Sequence, residues 1–177
     1  MPNPIATITM DDGSVMTAEL YLTTAPNTVS NFVELANSGF YDGLLVHRII
    51  PGVLIQTGDP TELGSGGAEY TIRGEFSKNG FTNDLSHTRG VLSMSRLESD
   101  YNSASSQFFI MQGSYPEDYD GKYAAFGKLT DDASLAVLDS LGSTPVDTSG
   151  KPLVEHRVQT IRVETFGYQY SVKKIED

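Results

Sequence analysis

The chain contains no cysteine and no tryptophan. Without thiols, disulfide staples, thiolate nucleophiles and cysteine-ligated zinc are excluded. The same lack fits a reducing compartment, so a cytoplasmic location is expected. Positive charge is also scarce: 12 Lys plus Arg stand against 23 Asp plus Glu, a formal net charge of −11 in 177 residues. No basic cluster breaks this balance, so neither nucleic acid nor an anionic membrane surface is an expected partner. The acids fall in short groups, Asp11-Asp12, Glu117-Asp118-Tyr119-Asp120 and Asp131-Asp132, which read as solvated surface. No apolar run approaches the ~20 residues that span a bilayer. Residues 1–10 lack the basic-then-apolar pattern of a signal peptide. The length suits one domain able to bury a core without staples or metal.

What is present is mostly short-period pattern. Residues 5–10 and 15–22 alternate, with Met16, Ala18, Leu20 and Leu22 on one side and Thr17, Glu19 and Tyr21 on the other. Asp11-Asp12-Gly13 between them signals a turn, so a β-hairpin is expected. A helix is expected over 26–37: Pro26 suits its first position, Gly39 its stop, and Val29, Phe32, Val33 and Ala36 make one stripe. From Leu44 to Phe126, short apolar runs at 44–50, 53–57, 91–95, 107–111 and 124–128 alternate with turns. The glycines Gly64, Gly66, Gly67, Gly74 and Gly80 mark residues 60–81 as a long ordered loop. A second helix is expected over 132–141, with Asp131 and Asp132 near its positive end, and Leu135, Leu138 and Leu141 on one face. A last strand is expected over 157–166. Many strands and two helices predict a mainly β fold, a barrel with helical caps.

Two segments look unlike ordinary core. The first, HRIIPGVLIQTGDP from His47 to Pro60, puts Arg48 and Gln56 on neighbouring strands joined by Pro51-Gly52. The second runs GVLSMSR from Gly90 to Arg96 and then NSASSQFFI from Asn102 to Ile110. A weaker third is DGKYAAFG, from Asp120 to Gly127. In this order and spacing the three resemble the cyclophilin family of peptidyl-prolyl isomerases, in a bacterial-like branch, over nearly the whole chain. The resemblance implies a closed eight-stranded antiparallel β-barrel capped by two α-helices. It also implies a groove on the outside of the barrel and no metal or cofactor. The isomerase domain is expected to span 1–167, with a polar tail at 168–177 trailing over the surface. Expected partners are proline-containing peptides and unfolded or partly folded proteins, met by a monomer.

The chemistry explains the residue types. An amide resists rotation by about 18–20 kcal/mol because its nitrogen lone pair is shared with the carbonyl. Uncatalysed X-Pro exchange takes about 10–100 s. A catalyst must favour the twisted amide, whose lone pair has returned to the proline nitrogen. A permanently charged donor in a partly dry groove does this, and arginine suits that task. An apolar pocket must also grip the proline ring.

Carried over residue by residue, the resemblance makes Arg48 the catalytic arginine and Gln56 the glutamine that hydrogen-bonds substrate and helps hold that arginine. Phe109 becomes the proline-pocket floor and Gln107 a second groove glutamine. Leu54 stands where methionine is usual, and Ser95 and Arg96 end the strand whose backbone binds the residue before proline. Three positions depart from the familiar eukaryotic pattern: Val53 for a pocket phenylalanine, Tyr123 for a pocket-edge histidine, and Asp118 for a rim tryptophan. These imply altered isomerase activity and weak cyclosporin binding. The rival reading is a module that binds Pro-containing segments with weak turnover. A hydrolase built from His47, His87 or His156 with Ser93 or Ser106 is disfavoured, because no G-x-S-x-G elbow occurs.

Overall fold

The computed structural model describes residues 2–176. Strands β1 (Ile5–Met10) and β2 (Val15–Leu20) form the expected hairpin. Gly13 closes it at φ +88°, and the Asp12 carboxylate accepts from the Ser14 amide and hydroxyl. Helix α1 (Pro26–Asn37) buries Val29, Phe32, Val33 and Ala36, the stripe read from sequence. The later strands are β3 (Arg48–Ile50), β4 (Leu54–Thr57), β5 (Val91–Met94), β6 (Phe108–Met111), β7 (Ala125–Leu129) and β8 (Val158–Glu164). Helix α3 (Asp132–Gly142) is capped by Asp131, whose carboxylate accepts from the Ser134 amide at 2.8 Å. A short helix α2 (Pro116–Tyr119) is additional to the two expected helices, and residues 77–79 form a 3-10 turn.

All eight strands belong to one antiparallel sheet in the order β3-β4-β6-β5-β7-β2-β1-β8. The sheet is open between β3 and β8, which corrects the expectation of a closed barrel. The reason is local. β3 has only three residues before Pro51-Gly52, and its Ile49 amide donates to the Gly150 carbonyl, in a loop, at 2.8 Å. Ahead of β3 and β8, one bridge between Leu45 and Arg157 spans the seam.

The strands nearest the motifs are buried on both faces. Phe108 and Ile110 of β6, Leu92 of β5, Ile55 of β4 and Phe126 of β7 enter the main core with Phe32. Their neighbours Phe109, Met111, Val91, Leu54 and Ala125 form a second buried cluster. A strand sends successive side chains to opposite faces, so this second cluster lies outside the sheet. Residues 168–176 are held against the body. Asn27 exchanges two hydrogen bonds with the Lys173 backbone, and Thr71 and Ile175 exchange backbone bonds at 2.7 and 3.1 Å.

Candidate active site

The site grows from the β3–β4 hairpin. Pairing sets Arg48 opposite Gln56, and Gln56 opposite Phe109 on β6. Gly52, at φ +78°, supplies the turn. Arg48 is exposed at the sheet edge, and its Nη1 donates to Gln56 Oε1 at 3.2 Å. Gln56 is buried; its Nε2 donates to Gln107 Oε1 at 2.9 Å and to Ser95 Oγ at 3.1 Å. Gln107 Nε2 in turn donates to the carbonyls of Gly66 at 2.8 Å and Gly64 at 3.1 Å. The glycine-rich loop read from sequence therefore anchors the relay. It is tied down by the buried Asp59, which accepts from the Thr61 and Gly64 amides. Each amide in this chain donates onward, which leaves the Arg48 guanidinium aimed by a fixed acceptor rather than by an ion pair.

Beside the relay lies the outer cluster. Leu54 and Phe109 are buried in it, with Val53 and Tyr123 partly buried against it. Phe109 meets Tyr123 edge-on at 5.6 Å between centroids and 85°. Four expected pocket residues are thus brought together, and Ser95 and Arg96 stand at the end of β5 beside them. A groove of about 1240 Å³ begins at Ser95, Arg96 and Gln107 and runs past residues 64–71 toward Lys174 and Ile175.

Two features escaped the sequence reading. Tyr119 joins the pocket, with its ring 5.5 Å from Phe109 and 5.4 Å from Tyr123. Asp118, expected at the rim, is exposed; the single turn of α2 instead swings its neighbour inward. Burial pushes the Tyr119 hydroxyl pKa up, and the nearby Arg48 charge works against that rise. The Pro at the first position of α2 was a usable signal for this turn.

The second feature is a hydrogen-bonded string behind the pocket floor, buried at His87 and Ser93 and partly exposed at Asp120. Asp120 Oδ1 bonds His87 Nδ1 at 2.8 Å, and His87 Nε2 bonds Ser93 Oγ at 2.8 Å. The His87 ring stacks at 5.6 Å on Tyr119 and 6.2 Å on Phe109. This is the connectivity of a hydrolase triad, yet Ser93 is 0 % exposed and His87 1 % exposed, so no substrate reaches the hydroxyl. With the Asp120 carboxylate as acceptor, Nδ1 carries the proton and Nε2 accepts from Ser93. The string props the pocket. Both ring nitrogens of the buried His47, next to Arg48, lack a partner. Among the described residues no three His, Asp or Glu side chains converge as a metal site.

Burial lowers the His87 pKa, against the upward pull of Asp120. The unfolded chain, by contrast, takes up this proton near about pH 6.5. The stability that a neutral His87 contributes is complete above about pH 6.5 and is lost as pH falls through the lowered folded value. His47, lowered by burial, acts with the same sign. The melting temperature is therefore expected to drop between about pH 7 and pH 5, and less steeply in His87→Gln. A slope as steep in that variant as in the parent would contradict the assignment.

The geometry has close counterparts. Residues 5–163 match the family described as cyclophilin type peptidyl-prolyl cis-trans isomerase/CLD. Peptidyl-prolyl cis-trans isomerase B of Bacillus subtilis is 43% identical over 127 residues, 72% of this chain and 84% of that protein. A putative bifunctional phosphatase/peptidyl-prolyl cis-trans isomerase of Streptococcus pyogenes is 36% identical over 186 residues; the match covers 90% of this chain but only 38% of that protein. A crystal structure of a Cryptosporidium parvum cyclophilin type isomerase, in the presence of the dipeptide Ala-Pro, superposes with a TM-score of 0.79 at 32% identity, covering 91% of this chain and 99% of the other.

Proposed function

The chain belongs to the cyclophilin-type peptidyl-prolyl cis-trans isomerase family and is such an isomerase, and from that premise we propose that Arg48 drives the reaction electrostatically. The observation that supports this most is the relay Arg48–Gln56–Gln107, which sets a guanidinium beside an apolar pocket. A proline ring seats on Phe109, between Leu54, Val53 and the Tyr119–Tyr123 edge. The acyl side then rotates while the ring stays fixed. As the amide twists, the lone pair gathers on the proline nitrogen, and Arg48 donates a hydrogen bond toward it. The strand end at Ser95 and Arg96 holds the carbonyl side, while Gln56, whose amide protons go to Gln107 and Ser95, holds Arg48 in place. No bond to carbon breaks and no proton passes to product, so the rate comes from tighter binding of the twisted state than of either planar one.

The substrates on this reading are X-Pro bonds in extended or partly folded polypeptide, reached by a monomer in the cytoplasm. The lack of cysteine fits such a reducing compartment. The test is catalysed exchange of a short X-Pro peptide in a protease-coupled assay. Peptide binding without acceleration would favour the binding-module alternative.

The rim also bears on inhibitors. Val53 gives an aliphatic wall where an aromatic one is usual, and the exposed Asp118 stands in sequence where a rim tryptophan is usual. Cyclosporin is expected to bind weakly, in the micromolar range or above, roughly 8 kcal/mol or less of binding free energy. A nanomolar complex in a calorimetric titration would overturn this.

A further inference from the structure

The side chain of Arg96 sits in a cage of three aromatic rings drawn from three separate loops. Its guanidinium carbon lies 4.7 Å from the Tyr123 centroid, 5.0 Å from Tyr101 and 5.1 Å from Phe76. Its Nε donates to the Lys122 carbonyl at 2.9 Å and its Nη1 to the Leu97 carbonyl at 3.0 Å. Five contacts thus converge on one cation, two of them at Tyr123 and the residue before it. Tyr123 itself is packed by the Arg96 guanidinium and by two rings, Phe109 edge-on and Tyr119 tilted at 5.4 Å. A guanidinium is flat and weakly hydrated, so it stacks on aromatic faces and donates in its own plane at once; an ammonium does not.

We propose that Arg96 is a positioning residue whose guanidinium holds the Tyr123 ring against Phe109 and so sets the width of the proline pocket. The inference rests on the reading of Phe109 and Tyr123 as pocket walls, and adds to Arg96 a task for its side chain beyond that of its backbone. The cage sits where three loops far apart in sequence, around Phe76, Tyr101 and Tyr123, meet at one rim. Phe76 and Tyr101 pack edge-on at 5.3 Å, and the Gly74 amide donates to Asn102 Oδ1 at 3.1 Å, so two of the loops are already joined. Arg96 ties the third to them at the side-chain level, beside the backbone bond from the Lys78 amide to the Gly121 carbonyl at 2.9 Å. Because the ring acts on the seated proline in both its planar and twisted forms, losing the clamp weakens binding more than turnover.

The experiment is a double-mutant cycle in the full chain: parent, Arg96→Met, Tyr123→Leu and the pair, each with kcat, KM and melting temperature for one X-Pro peptide. Methionine keeps an apolar stem and removes the charge and both donors. Each single change is expected to raise KM about 5- to 10-fold with kcat changed less than about twofold, and the pair is expected to be no worse than Tyr123→Leu alone. Arg96→Lys, folded as the parent, is expected to recover only part of the loss. If the two effects multiply in the pair, or if Arg96→Met leaves KM within about twofold, Arg96 does not act through Tyr123 and the proposal fails. The reading of the pocket is judged separately, by Phe109→Ala against Phe108→Ala, so failure of that reading and failure of the clamp are distinguishable.

Discussion

Arg48→Ala is expected to lower kcat/KM for X-Pro isomerisation by about 10²- to 10³-fold, the usual cost of removing one donor aimed at developing charge. The fold is expected to survive. Arg48 is exposed, and its hydrogen-bond partner Gln56 keeps its own donations to Gln107 and Ser95. The stability loss should stay near 1 kcal/mol, a shift of about 2–4 °C in melting temperature. Loss of activity with the melting temperature nearly unchanged is thus the signature. Arg48→Lys tests the geometry: it keeps charge but not the forked donor, and is expected to recover only a small part of the rate. An Arg48→Ala protein with the full parental rate would contradict the mechanism.

The second large effect separates two adjacent rings. Phe109→Ala removes the pocket floor; Phe108→Ala removes an equal volume from the main core on the other face of the same strand. Phe108 packs edge-on with Phe32 at 5.2 Å and Tyr41 at 5.4 Å, whereas Phe109 packs with Tyr119, Tyr123 and His87. Both rings are buried, so each truncation should cost about 3–5 kcal/mol and lower the melting temperature by roughly 6–20 °C. Their effects on the reaction should diverge. Per folded molecule, Phe109→Ala is expected to lose at least about 10-fold in kcat/KM through the lost apolar contact with proline, and Phe108→Ala less than about threefold. Measuring both at a temperature where each is folded gives the comparison. Equal losses would mean that the pocket does not lie on the Phe109 face.

That contrast also marks where sequence reasoning reaches and where it stops. The hairpin and α1 were readable because their apolar residues repeat with the period of the element: Met16, Ala18 and Leu20 in one case, Val29, Phe32 and Val33 in the other. In β4 to β7 both faces are buried. Runs such as Val91–Met94 and Phe108–Met111 then show strands but not which side carries the core. The motif resemblance supplied a side for the pocket, and Leu54 and Phe109 share the second cluster. Closure of the barrel was not readable. It depends on whether β3 and β8 meet, and the short β3 gives its edge amide to Gly150 instead. The Asp120–His87–Ser93 string and the Arg96 cage were invisible for another reason. The string spans 33 residues from His87 to Asp120, the cage pairs Phe76 with Tyr123 around Arg96, and all members but Ser93 of β5 belong to loops, where no periodicity reports a contact. Tyr119 was missed because Asp118 was aligned to the rim, while the turn of α2 decides which of the two faces inward.

The central claim is that Arg48 binds the twisted amide better than either planar one. Exchange between cis and trans peptide on the protein, measured by NMR on parent and Arg48→Ala, tests it most directly, because the same spectra report affinity and interconversion. The account predicts that Arg48→Ala binds the peptide within about threefold of the parent while on-protein interconversion slows by about 100-fold or more. Affinity falling by that factor with interconversion on the protein unchanged would make Arg48 a substrate-binding group and contradict the account.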